Sequence, residues 1–294
     1  MSNIKQAFVS RYGDRGLLVE IDCVQLEVFA LAEITQDPVL IAELNSGVDI
    51  HTMNAAMWLK KPEKLVIPEE RKKAKTMTFQ LTYGAGAKRM SEDLGISHDA
   101  AQEFIDAFLD KYNKIGEFHE FVRTISNCMS STVEPYNKQH VYNPFAFGLT
   151  VPTDRHYTLT YRQSEYGRKD WKLSPTEMKN YPVQGFATGD MVPLILNAIL
   201  DELDNHPTED YSIWSKGKCL FINTIHDSGM FDCHEDHLGY LLLAVENVFT
   251  NLPQIFKELF DYDLKLNYSY SAKFGPNWKE VIEINRKDCK EIIS

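Results

Sequence analysis

The feature that most limits the fold is the placement of β-prone sequence at the two ends of the chain, with a long helical stretch between them. Leu17-Leu18-Val19-Glu20-Ile21 follows a turn signal at Tyr12-Gly13-Asp14-Arg15-Gly16 and closes on Asp22, which reads as a buried strand with an aspartate at its end. Lys218 to Ile225 and Gly229 to Phe231 alternate like the two strands of a hairpin, with His226-Asp227-Ser228 at its tip. A further strand is expected over Leu264 to Ser271. Strands set apart from the helices in this way, without repeats or a linker that would mark a separate domain, point to a mixed α+β plan. On one sheet, Asp22 and Asp227 can come together although they lie near opposite ends of the chain.

Between these ends the pattern is helical up to Cys128 and again from Ser174. Helices are expected from Gln25 to about Ala32, from Pro38 to Leu44, and from near Asp49 or Ile50. Pro68-Glu69-Glu70 opens another that runs to Tyr83 and stops at Gly84 and Gly86. Asp99 to Tyr112 and Ile115 to Cys128 form a further pair joined at Asn113 and Lys114. Ser130 to Trp171 reads as strands and loops. Ser174-Pro175-x-Glu177 carries the N-cap pattern of a helix kinked by Pro182 and continuing to Leu203, and a last helix is expected from Glu235 to Phe249.

The longest apolar stretch, around Leu238 to Val245, falls short of the ~20 residues that span a bilayer, and the first residues lack a secretory signal pattern. A cytoplasmic location without membrane contact is the expectation, the host cytoplasm if the chain is viral. The five scattered cysteines, Cys23, Cys128, Cys219, Cys233 and Cys289, form no C-x-x-C pair and read as reduced thiols. The net charge of −11 is only a sum and does not exclude nucleic acid; the location of the cations decides. Lys60-Lys61 and Arg71-Lys72-Lys73 form a local basic region.

Two residue sets carry chemistry. Asp22 and Asp227 offer the hard oxygen ligands that suit Mg²⁺, although aspartates at turns also serve as caps. Arg71, Lys75 and Phe79 recur every four residues and share one helix face, with Tyr83 further around. Cations near the helix start suit a triphosphate, and aromatic faces suit a sugar and a base; the plainer alternative is a solvated basic face over core aromatics. Cys233-His234-x-x-His237 gathers three metal-ligand types at a spacing that matches no zinc class, so solvated surface residues are the simpler reading.

The run Arg71-x-x-x-Lys75-x-x-x-Phe79-x-x-x-Tyr83-Gly84 resembles the fingers-helix motif of family A DNA polymerases, the bacterial DNA polymerase I and phage type. Ile21-Asp22-Cys23-Val24-Gln25-Leu26-Glu27 resembles that family's first palm motif, and Ile225-His226-Asp227-Ser228 its second. Ile4-Lys5-Gln6-Ala7-Phe8, Gly47-Val48-Asp49-Ile50-His51 and Asn180-Tyr181-Pro182-Val183-Gln184-Gly185 also match family segments, in the right order. The resemblance implies a right-hand palm with an antiparallel sheet plus helical fingers, residues 1–35 and 146–294 forming the palm and 36–145 the fingers. It implies template-directed addition of deoxynucleotides to a primer 3′ end, with Asp22 and Asp227 holding two Mg²⁺ ions. Arg71, Lys75 and His51 would contact the triphosphate, and Lys75 would also protonate pyrophosphate. Phe79 would pack on the sugar, Tyr83 would border the nascent base pair, Glu27 would exclude a ribose 2′ hydroxyl, and Gln25 would join the nucleotide site. Lys5, Asn180, Gln184 and His226 would reach DNA.

The chain departs from the family at several points. Cys23, Val24 and Phe29 replace the usual Tyr, Ser and Arg of the first palm motif, Ser228 replaces a Glu, Gln80 a Gly, and Thr176 a common Arg. The thumb, the upstream palm strands and any exonuclease domain have no counterpart in this sequence. The expectation is therefore a split polymerase, in which a second, more basic chain supplies the thumb and a 3′–5′ exonuclease, as a truncated gene product or a viral genome would allow. The alternative is a degenerate palm and fingers module that binds DNA or a partner polymerase chain without catalysis.

Overall fold

The computed structural model describes residues 3–164, 169–205 and 219–293. Its helices are α1 (Leu26–Thr35), α2 (Pro38–Asn45), α3 (Ile50–Leu59), α4 (Pro68–Thr82), α5 (Ala87–Leu94), α6 (His98–Lys111), α7 (Asn113–Cys128), α8 (Pro175–Gln184), α9 (Val192–Asp204), α10 (Leu238–Phe260) and α11 (Arg286–Ile293). The strands are β1 (Gly16–Cys23), β2 (Gln139–Tyr142), β3 (Tyr157–Thr160), β4 (Arg162–Gln163), β5 (Trp171–Lys172), β6 (Cys219–Ile225), β7 (Ser228–His234), β8 (Tyr270–Gly275) and β9 (Ile282–Asn285). The chain packs as two units, one of Met1–Leu26 with Ala187–Ser294 and one of Glu27–Phe186. The class is α+β with an antiparallel sheet, as the sequence implies.

The first unit is built around β1. Val19, Ile21 and Cys23 are buried while Glu20 and Asp22 stay half-buried, the two-residue period of a strand with one face in a core. β1 lies between β7 and β8, antiparallel to both, in the sheet order β6-β7-β1-β8-β9. Helix α9 packs on β7, and α10 packs on α9 and α11. The core stripe of α10, Leu238, Leu241, Leu242, Val245, Phe249, Leu252 and Phe256, has helical spacing. Gly229 follows the hairpin tip because a side chain there would meet Leu196 of α9, with a Cβ only 2.2 Å from its Cδ2.

Three details of this unit differ from the sequence reading. Ser228 belongs to β7, so only His226 and Asp227 form the tip; Lys218, the expected start of the hairpin, lies outside the described residues. The strand expected over Leu264 to Ser271 is displaced to Tyr270–Gly275. Its partner β1 ends at Cys23, opposite Tyr270, and the chain then enters α1, which leaves residues 264–269 without a strand to pair. Finally, α10 begins only after a 3₁₀ turn at Glu235–His237 and continues through Pro253 to Phe260, because Leu252 and Phe256 extend its buried face. Strand β9 and helix α11 have too few buried positions to show a clear period in the sequence.

The second unit is largely helical, with α3 against α4, α5 against α6, α6 against α7 and α7 against α8. Side-chain caps fix several starts: Asp37 on α2, Asp49 on α3, Ser97 on α6 and Ser174 on α8. Helix α5, between Gly86 and Gly95, is absent from the sequence reading, because its eight residues are too few to show a period and its N-cap makes no side-chain bond. Asn113 and Lys114, read as a turn, already belong to α7, and the break is confined to Tyr112. The kink expected at Pro182 appears as a π-helical turn at Gly185–Met191 that links α8 to α9. The resulting run Pro175–Asp204 is long and apolar enough by composition to cross a membrane, with 44% of its apolar window buried. Leu238 to Val245 remains the longer uninterrupted apolar stretch; the Pro175–Asp204 run reaches its high mean hydropathy although polar residues interrupt it.

Candidate active site

In the first unit, β-sheet register brings the two aspartates together. Asp22 pairs across β1 with Ser228 of β7 and Ser271 of β8, so these side chains share a sheet face. Asp227 occupies the two-residue tip that joins β6 to β7, and its carbonyl accepts the backbone N–H of Cys23 at 3.1 Å. His226, the first residue of that tip, has φ +56°, a left-handed conformation that glycine adopts more easily, so the tight turn costs some strain. Burial, and then repulsion from Asp227, push the Asp22 carboxyl up to about 6, while Lys273 works the other way. Neither carboxylate has a hydrogen bond or ion pair among the described residues. Two half-buried oxygen ligands that repel each other without protein donors fit a hard divalent cation, whose charge would relieve the repulsion.

Lys273 of β8 is a member of this site that the sequence reading missed. Its ammonium lies 3.4 Å from Glu20 and 4.0 Å from Glu283. Burial disfavours its charge, but Glu20, Asp22 and Glu283 outweigh that and raise its pKa. The sequence signal fails here because the strand that carries Lys273 begins later than its β-prone residues suggest. Ser228, at the position of the usual Glu, is buried and donates to the Ile225 carbonyl at 2.9 Å, closing the hairpin. Gln25, in the turn after β1, has φ +53° and a buried Oε1 without a partner. Lys5 lies with its ammonium 4.4 Å from the Trp278 ring centre. The Cys233-His234-x-x-His237 set does not converge on a metal: the Cys233 Sγ faces Cys219 at 3.0 Å inside the sheet, while His234 Nδ1 accepts the N–H of Asp236. Among the described residues, no group of three or more His, Cys, Asp or Glu is placed to hold a metal ion.

In the second unit, α4 turns Ala74, Met77, Thr78, Leu81 and Thr82 into the core. That leaves Arg71, Lys75 and Phe79 on another face, as their spacing implies. The Glu70 carboxylate accepts the Ile67 N–H at 2.9 Å and Pro68 opens the first turn, so the start of the helix is firmly set. Asn54 of α3 donates to Thr78 of α4 at 3.1 Å, tying the two helices together. His51 of α3 is buried, and its ring centre lies 5.7 Å from that of Phe79. The Lys75 ammonium lies 5.5 Å from the centre of the Phe79 ring. Burial, then the charges of Lys75 and Arg71, lower the His51 pKa to about 4, so its imidazole is neutral near pH 7. Arg71 is held by Asp49 through Nε to Oδ2 at 2.5 Å and Nη2 to Oδ1 at 3.1 Å.

A third cluster in the same unit joins residues from three segments. The Gln184 amide donates to Glu27 and, at 2.6 Å, to the Tyr83 hydroxyl. Burial, then Glu27, raise the Tyr83 pKa. Asn180, one turn before Gln184 on α8, has a buried Oδ1 without a partner. Gly84, at φ +76°, ends the α4 segment and packs against the end of the Lys179 side chain.

The DNA polymerase family A model matches residues 1–280. DNA polymerase I of Deinococcus radiodurans is 26% identical over 277 residues, which cover 94% of this chain and 24% of that protein. Shorter stretches are more alike: DNA polymerase I of Borreliella burgdorferi is 36% identical over 115 residues, 39% of this chain and 12% of that protein. The thermostable DNA polymerase I of Thermus aquaticus is 37% identical over 112 residues, 38% of this chain and 13% of that protein. The POL domain of Pol1 from M. smegmatis, solved in complex with DNA primer-template and dNTP, matches in fold with a TM-score of 0.67 at 21% identity, covering 94% of this chain and 42% of that one. This chain therefore spans a quarter or less of the length of these curated relatives.

Proposed function

We propose that this chain, which belongs to DNA polymerase family A, adds deoxynucleotides to a primer 3′ end under the direction of a template. The observation that carries this reading is the register that sets Asp22 beside the hairpin tip bearing Asp227. Asp22 and Asp227 would hold two Mg²⁺ ions. When bound, they supply Lewis acidity for the primer hydroxyl and charge compensation for the leaving pyrophosphate. Lys273 restrains the negative charge of this acidic face.

Arg71 and Lys75 bind the triphosphate and offset charge that builds on the transferring phosphoryl group. The primer 3′ hydroxyl loses its proton to water, its oxygen bonds to the α-phosphorus as the bond to pyrophosphate breaks, and Lys75 gives a proton to the departing oxygen. His51, neutral and only 1% exposed, packs on Phe79 and supports that ring rather than reaching the triphosphate itself, and Phe79 packs on the sugar. Glu27, held by Gln184 beside Tyr83, crowds the position of a ribose 2′ hydroxyl, which favours deoxynucleotides. Gln25 borders the nucleotide, and Lys5, Asn180, Gln184 and His226 contact DNA. In this reading the first unit is the palm and the second the fingers; the borders expected at residues 35 and 145 both lie within the second unit. Protein outside these 294 residues, as a second chain with a thumb and exonuclease, supplies the grip on duplex that a net charge of −11 works against. The cytoplasm, with its nucleotides and reducing conditions, is the proposed location.

The test is single-nucleotide extension of primers facing each of the four template bases, with Mg²⁺ and any copurifying chain. Incorporation of the complementary deoxynucleotide opposite each base supports the reading. One feature favours a second reading, a module that binds DNA or a partner without catalysis: Ser228 is buried and used to close the hairpin, so position 228 adds no carboxylate to Asp22 and Asp227. Nucleotide binding without any extension would establish that alternative.

A further inference from the structure

Asp49 makes four bonds with its one carboxylate. Oδ1 accepts the His51 backbone N–H and Arg71 Nη2, each at 3.1 Å. Oδ2 accepts the Thr52 hydroxyl at 2.6 Å and Arg71 Nε at 2.5 Å. One side chain thus caps α3 at His51, holds the Thr52 hydroxyl, and grips a guanidinium on the neighbouring helix. The Arg71 fork uses two of its five N–H donors on Asp49, and the other three keep a fixed orientation. Arg71 remains 43% exposed, so those donors are open to a ligand.

From this geometry we infer that Asp49 is a positioning residue for nucleotide binding, which presents Arg71 to the triphosphate and holds His51 and Phe79 in register with it. The inference rests on the reading of Arg71 as a triphosphate contact. Two other roles make opposite predictions. If Asp49 only capped α3, Asn in its place would serve nearly as well, since Asn is an equally good N-cap. If Asp49 acted only through its charge, removing that charge beside an anion site would tighten triphosphate binding. A positioning role predicts weaker binding after the same change.

The experiment measures equilibrium binding of dTTP with Mg²⁺ to the full chain by calorimetry, for wild type, Asp49→Asn, Arg71→Ala and the double variant, with thermal midpoints alongside. The expected result is a roughly tenfold loss of dTTP affinity in Asp49→Asn, about the value of one well-made hydrogen bond. The midpoint should fall only modestly, because the Asp49–Arg71 pair is half-exposed, and Asp49→Asn should cost no further dTTP affinity in the Arg71→Ala background. Unchanged or tighter binding in Asp49→Asn, while Arg71→Ala weakens it, would overturn the inference and leave the Arg71 reading intact. Additive losses in the double variant would also overturn it. If Arg71→Ala binds dTTP as wild type does, the triphosphate reading itself fails, and the inference with it. Should Asp49→Asn fold poorly, Asp49→Ser keeps a capping oxygen and decides by the same criteria.

Discussion

The two units reach their functional groups by different routes. In the sheet unit, the candidate metal ligands come from opposite ends of the chain and meet only because β1 pairs with β7 in one register. A slip of one residue would turn Asp22 into the core and Ile21 outward. In the helical unit, Arg71, Lys75 and Phe79 lie on one helix within three turns, and their spacing alone aligns them. On the proposed function, long-range pairing sets the chemistry and local periodicity sets the substrate contacts. Losses in the first unit should act on the chemical step, and losses in the second on binding.

The largest effect is expected in the sheet unit. Asp22→Asn should lower the extension rate constant by roughly 10²–10³-fold or more, by analogy with the removal of a single transition-state charge partner, with a smaller change in nucleotide KM. Single-turnover quench kinetics measures this, and a pure KM effect would break the contrast. In the helical unit, Arg71→Ala should raise nucleotide KM by about 10–100-fold, the range for a lost hydrogen bond to a charged group, with little change in the rate at saturation.

This contrast also sets how much is legible in the sequence. The Arg71 to Tyr83 helix and its face can be read because a period of four needs only local residues. So can Asp22 and Asp227, through the β-runs that end on them. Lys273 cannot, because the position of β8 depends on where β1 ends and not on any signal within residues 264–275. Asp49 is visible as the start of a helix and within a family-like segment, but its grip on Arg71 is not, since that depends on how α3 packs against α4. The Gln184 bridge between Glu27 and Tyr83 joins three distant segments and has no sequence signature.

A smaller effect concerns acid stability, where both units hold a carboxylate below its ordinary range. For Asp49, burial works against ionisation but the Arg71 and Thr52 hydrogen bonds prevail and lower it from 3.8 to about 2. For Glu246 of α10, burial is likewise overcome by Arg286, Lys290 and Thr250, and the carboxyl falls from 4.5 to about 2. Because the folded values are depressed, each contribution is fully present above the unfolded pKa and is lost as pH falls towards 2. Thermal midpoints should therefore drop between about pH 4.5 and 2 in wild type, and less steeply in Asp49→Asn and Glu246→Gln. Since Glu246 is the better shielded, at 13% exposure against 38%, its substitution should flatten the profile more. An unchanged slope in Glu246→Gln would contradict this ordering.

The claim at the centre of this account is that the register of β1 and the hairpin builds a divalent-cation site from Asp22 and Asp227. Electron paramagnetic resonance titration of Mn²⁺, as a stand-in for Mg²⁺, into the full chain tests it without requiring catalysis. Saturable Mn²⁺ binding in wild type that is lost in the Asp22→Asn, Asp227→Asn double variant, at an unchanged fold by circular dichroism, is the predicted result. Equal Mn²⁺ binding in both proteins, or none in either even with dTTP present, would contradict it.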